Sequence, residues 1–143
     1  FKKKHFEKNY LKRLIEMSAT DNNSNKGHSR KEQEILRAFL FEEKDKIKCA
    51  LCHKLLPSQI MIAAHIKTRN KCSIEERIDL NIVMPVCEIG CDDLFEKGYL
   101  EIDGMGNILI NNFKKITNEL NAFMQQYENK KCLFCNDNTQ AYF

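Results

Sequence analysis

The sequence predicts a small α+β domain, and three observations carry that expectation. Short apolar runs bounded by turn residues, at 47–52, 59–66 and 81–86, read as strands. Stretches with apolar residues at helical spacing lie before and after them. Two short-spaced cysteine pairs, Cys49-x-x-Cys52 and Cys87-x-x-x-Cys91, flank the second and third of these runs.

Residues 1–46 read as a helical segment, and 47–143 as the domain proper. Phe6, Tyr10, Leu11, Leu14 and Ile15 recur at helical spacing with Lys and Glu between them, which predicts an amphipathic helix over 3–17. Residues 19–30, rich in Asn, Ser, Asp and Gly, read as a flexible linker. A second helix is expected over 31–43, with Ile35, Leu36, Phe39 and Leu40 on one side. Neither helix carries evident chemistry; both would cover the core or join it to a further domain.

Within the domain, Pro57-Ser58 marks a turn, and 68–79 is polar enough to be irregular, with one helical turn near 73–77. A helix begins at Asp92, and Gly98 is a natural stop for it. Residues 99–110 read as a hairpin around Asp103-Gly104-Met105-Gly106-Asn107. Phe113, Ile116, Leu120, Phe123, Met124 and Tyr127, at offsets 0, 3, 7, 10, 11 and 14, predict a core-packing helix. A tail with Cys132-Leu133-Phe134-Cys135 follows.

The totals narrow the class. At 143 residues, 43% hydrophobic and 30% charged, the composition is that of an ordinary globular chain. The net charge of +3 does not by itself argue for nucleic acid. Local clusters say more: Lys2-Lys3-Lys4, Lys12-Arg13, and Lys67 with Arg69 and Lys71. No apolar run approaches a membrane span, and no signal peptide is visible, so the expectation is a cytoplasmic protein without membrane contact. The chain opens at Phe1 and reads as a piece of a longer protein.

Seven cysteines, an odd number, sit poorly in a disulfide framework and are more at home around metal. Cys49-x-x-Cys52 aims two thiolates at one ion and supplies half of a tetrahedral site. Cys87 with Cys91, or Cys132 with Cys135, could complete it. The nearer pair fits better, because it flanks the same strands and leads directly into the helix that must be positioned. Cys132 and Cys135 could then hold a second zinc, with Cys72, a histidine or a residue beyond Phe143. Four thiolates leave no open coordination position, so the first zinc would be structural.

Ala64-His65-Ile66 ends an apolar run just before a basic loop, Asn81 opens the next run, and Asp92 directly follows the last cysteine of the second pair. Leu94-Phe95-Glu96-Lys97-Gly98 continues from it. In this order, between two cysteine pairs, these residues resemble the HNH endonuclease family over residues 49–110. The resemblance implies a ββα-metal core and a metal-dependent DNA endonuclease, with restriction or phage defence as one setting. It implies His65 as general base, Asn81 holding the loop and Asp92 binding a divalent ion. Phosphodiester hydrolysis asks for the same parts: a base for water and positive charge on the departing oxygen. Mg²⁺ or Mn²⁺ would suit Asp92, with Asp93 or Glu96 in support. Lys67 and Arg69 would grip phosphates. Many family members carry an acid or second histidine just before the base, where this chain has Ala64. That departure keeps an alternative open, a catalytically inactive zinc-stabilised nucleic-acid-binding module. For the nuclease, base recognition would come from a further domain, a partner protein or DNA shape, and double-strand cutting from a homodimer.

Overall fold

A computed structural model describes residues 2–19 and 26–143, with side chains at 7–17 and 30–143. Two helices come first, α1 (Lys2–Ala19) and α2 (Lys26–Leu40), packed on each other. Leu14 of α1 and Ile35, Leu36 and Leu40 of α2 are buried, and the Tyr10 and Phe39 rings meet edge to face at 5.8 Å. Leu11 and Ile15 are exposed, so α1 buries a narrower stripe than its sequence suggests. The Phe6 side chain and those of Lys2-Lys3-Lys4 lie outside the described residues. Of the linker expected over 19–30, residues 20–25 also lie outside, while 26–30 are already part of α2.

The rest is built from three short antiparallel strand pairs. β1 (Lys46–Lys48) pairs with β2 (Leu55–Pro57) on either side of the first cysteine turn. β3 (Met61–His65) pairs with β4 (Val83–Cys87), Met61 facing Cys87 and His65 facing Val83. β4 is buried along its whole length, which explains its unbroken apolar reading. The intervening loop contains α3 (Ile74–Arg77), started by a capping box in which the Ser73 and Glu76 side chains bond each other's backbone N–H. α4 (Cys91–Glu96) follows β4 and packs on it, and Gly98, at φ 78°, ends the turn. The molecule is therefore a mixed domain of helices and short antiparallel strand pairs, and the third pair extends it.

That pair, β5 (Leu100–Ile102) with β6 (Ile108–Ile110), is the expected hairpin. Asp103 closes its turn by accepting from the Met105 and Asn107 backbones and the Asn107 amide. Gly106 is required there twice over: its φ is 85°, and an added Cβ would lie 2.8 Å from Cys135 Cβ. The last helix, α5 (Asn118–Met124), is shorter than its periodicity predicts. Asn111 Oδ1 accepts from Phe113 N–H and turns the chain, and the helix begins only where Thr117 caps Leu120 N–H. Phe113 is consequently fully exposed, while Met124 and Tyr127 reach the core. Among the described residues no helix is long and apolar enough to cross a membrane.

Candidate metal centre and the His65 strand

Cys49, Cys52, Cys87 and Cys91 are all buried, and their four sulfurs lie within 4.8 Å of one another. An ion with metal–sulfur bonds of about 2.3 Å sets tetrahedral ligands roughly 3.8 Å apart, and Cys52 and Cys87 Sγ are 4.0 Å apart. The four thiols thus fit a soft ion such as zinc. Local geometry explains how they meet. Cys49 N–H bonds Lys54 O and His53 N–H bonds Cys49 O, with His53 in the left-handed region, so the first pair sits on a tight turn. Ala50 N–H bonds Pro85 O, which ties that turn to β4 and its terminal Cys87. Gly90, at φ 152°, lets the chain enter α4 with Cys91 turned inward.

The electrostatics of the cluster also ask for a cation. Hydrogen bonds from Cys87 and Cys91 hold the Cys49 thiol far below its ordinary range, and those with Cys49 and Cys87, together with burial, push Cys91 far above it. The sulfurs cannot all carry charge unaided, and a bound dication removes that conflict. Tyr127, fully buried, places its hydroxyl 2.9 Å from Cys91 Sγ. The tail braces the first turn from outside: Lys130 Nζ donates to Cys52 O, His53 Nε2 to Lys131 O, and Leu133 N–H to Ala50 O.

Cys132 and Cys135 flank Leu133 in that tail and bond the β5–β6 turn, Cys132 N–H donating to Gly106 O and the Cys135 thiol to Gly104 O. Among the described residues they gather no third metal ligand. Burial raises the Cys132 thiol to about 11, and its sulfur lies 3.7 Å from Met84 Sδ. Cys72 is elsewhere, its thiol donating to the Lys67 and Thr68 carbonyls.

His65 ends β3 with Nε2 buried and without a hydrogen-bond partner among the described residues. Burial lowers its pKa most; Glu32 raises it and Arg69 lowers it. Both cations expected to grip phosphate are held by acids. Lys67 Nζ meets both Glu76 oxygens at 2.9 Å, and Arg69 meets Glu32 at 3.0–3.3 Å. Asn81 lies in a short turn before β4, where its amide donates to Asp79 and not to His65.

Asp92 forms a carboxylate group with Asp93 and Glu96 at the start of α4. Its carboxyl is pushed up to about 6 by burial and then by Glu96, Asp93 and Glu88. Three hard oxygens in reach of one another suit a Mg²⁺-like ion in donor chemistry. His65 is not in that group. The register sets it four residues along β3 from Met61, which faces Cys87, or about 13 Å at ~3.3 Å per residue. The structure thus assembles the cysteine cluster fully and leaves His65, Asn81 and Asp92 with separate neighbours.

The second helix is where it was expected, but its polar residues carry contacts that the sequence does not mark. Gln33 donates to Ala63 O, and Arg37 to Met61 O and Ser58 O, so α2 is fastened along the strand that carries His65. Polar residues among helical apolar positions ordinarily face water, and nothing local marks these as inward-facing. No family model matches this sequence, and no curated protein matches it either.

Proposed function

We propose that the chain is a metal-dependent endonuclease of the HNH type, hydrolysing DNA phosphodiester bonds. The observation that carries this reading is the cysteine cluster on the β3, β4, α4 unit. Its second pair ends β4 and starts α4, so one structural zinc would fix the strand pair that ends in His65 to the helix that starts with Asp92. That is the order a ββα-metal nuclease requires.

In this reading Cys49, Cys52, Cys87 and Cys91 hold zinc, which contributes folding free energy to a domain rich in loops. His65 is the general base. Burial keeps its imidazole neutral near pH 7 and able to take a proton from water. Asp92, with Asp93 and Glu96, would hold Mg²⁺ or Mn²⁺, whose charge would offset that building on the phosphate and the departing oxygen. Lys67 contacts the nucleic-acid backbone once phosphate replaces Glu76 as its partner, and Arg69 adds its remaining N–H groups while it stays paired with Glu32.

A second reading is a zinc-stabilised nucleic-acid-binding module without catalysis. It is favoured by the absence of His65 from the group that Asp92 forms with Asp93 and Glu96. Supercoiled plasmid decides between them. Conversion to nicked or linear DNA that needs added Mg²⁺ or Mn²⁺ supports the nuclease; salt-sensitive binding without conversion supports the module.

A further inference from the structure

Glu32 is buried to 6% exposure, and with Thr139 it makes up the buried polar side chains among the described residues. A carboxylate so far from water persists only when paired. Arg69 pairs it through Nε and one terminal nitrogen, and this contact joins α2 to the turn just past His65. The next residue of α2, Gln33, holds the carbonyl of Ala63, just before His65. The chain is therefore pinned to α2 on both sides of His65, and Glu32 is one of the groups that make the pin. Inside the same junction the His65 Nε2 is buried without a partner. Ala64 brings no acid of its own.

We propose that Glu32 is a positioning residue for His65: its carboxylate, delivered by α2 from outside the motif, stabilises the imidazolium that forms when His65 takes a proton. This deepens the nuclease reading and rests on it. In the step concerned, one water O–H bond breaks and its proton goes to the imidazole. The water oxygen bonds to phosphorus, the bond from phosphorus to the leaving oxygen breaks, and solvent protonates that oxygen. Glu32 keeps its charge throughout. The charged groups acting on the ring are Glu32 from α2 and Arg69 from the turn after it, with Glu32 the stronger; opposite, β4 presents Val83.

The test is a histidine ring-proton NMR titration of the zinc-loaded full chain, with the His65 signal assigned from a H65Q sample. In E32Q the His65 midpoint should fall, and in R69Q it should rise. Where either single variant fails to fold because its partner is left buried and unpaired, E32Q/R69Q replaces the ion pair with two amides. Its midpoint should fall by less than that of E32Q. In the cleavage assay the acid limb of the E32Q pH–rate profile should move to lower pH with the titration, and the plateau should drop. A His65 midpoint unmoved in folded E32Q or in the double variant overturns the proposal, even if wild type cleaves DNA. Midpoints that move as stated while wild type cleaves nothing uphold the coupling of Glu32 to His65 and overturn the nuclease reading alone.

Discussion

The hydroxyl of Tyr127 lies 2.9 Å from the sulfur of Cys91, and both residues are buried. A thiolate bound to zinc accepts such a bond well, and outer partners of this kind commonly change metal affinity by about 10- to 100-fold. Tyr127→Phe keeps the ring and removes the bond. It should cost about 1.5–3 kcal/mol of stability, the range for hydrogen bonds to charged groups. Zinc transfer to a coloured chelator should speed up at least several-fold. Unchanged transfer and unchanged stability would remove Tyr127 from the metal site.

Cys49→Ser should lose the ion and, with it, the fold around 47–91. Structural zinc contributes free energy comparable to the whole stability of a domain this size. Metal analysis and thermal melting check this: zinc below one equivalent and loss of a cooperative melt are expected. Cys132→Ser should retain zinc, because that sulfur lies against Met84 Sδ of β4 and is not one of the four clustered sulfurs. Equal zinc loss in both variants would contradict the ligand assignment.

The two cysteine pairs were legible in the sequence because their information is local. A short cysteine spacing, an apolar run and a Gly-rich turn each specify their own geometry, and the four ligands and the β5–β6 hairpin follow from them. What was illegible depends on tertiary contact. Residues 26–30 carry no apolar period and read as linker, yet they extend a helix whose later residues Gln33 and Arg37 are fastened to β3. Glu32 looks like any surface acid until Arg69 is seen to bury it. The period from Phe113 onward continued through residues that the Asn111 turn takes out of the helix.

His65 should make stability depend on pH. Burial holds its folded pKa below the ordinary 6.5, so between those two values the unfolded chain binds more protons than the folded one. The sign is that stability is lost as pH falls through about 6.5 and is flat for this group above it. Denaturant unfolding at pH 7.5 and pH 5.5 should show a larger loss in wild type than in His65→Gln. Taking the difference between the two proteins cancels the opposite contribution of Asp92, whose raised pKa favours the folded state on acidification. Equal losses would mean that His65 is not held neutral by the fold.

Lys67 and Glu76 supply a test of nucleic-acid contact. Lys67→Ala should weaken DNA binding across sequences and flatten the salt dependence by about one phosphate contact. Glu76→Gln, which frees the ammonium, should tighten binding. Titration of a fluorescent duplex over a range of salt concentrations measures both. An unchanged salt slope in Lys67→Ala would exclude this lysine from the interface.

Asp92→Ala should abolish cleavage while zinc content and melting stay close to wild type, because its carboxylate faces Asp93 and Glu96 and not the cysteine sulfurs. Retained cleavage would place the divalent ion elsewhere.

The most direct measurement is plasmid cleavage by zinc-loaded, folded wild type and His65→Ala side by side, with Mg²⁺, with Mn²⁺ and with neither. The account predicts cleavage by wild type alone, and only with an added divalent ion. Equal cleavage by both proteins, or none by wild type under any of these conditions, would contradict it.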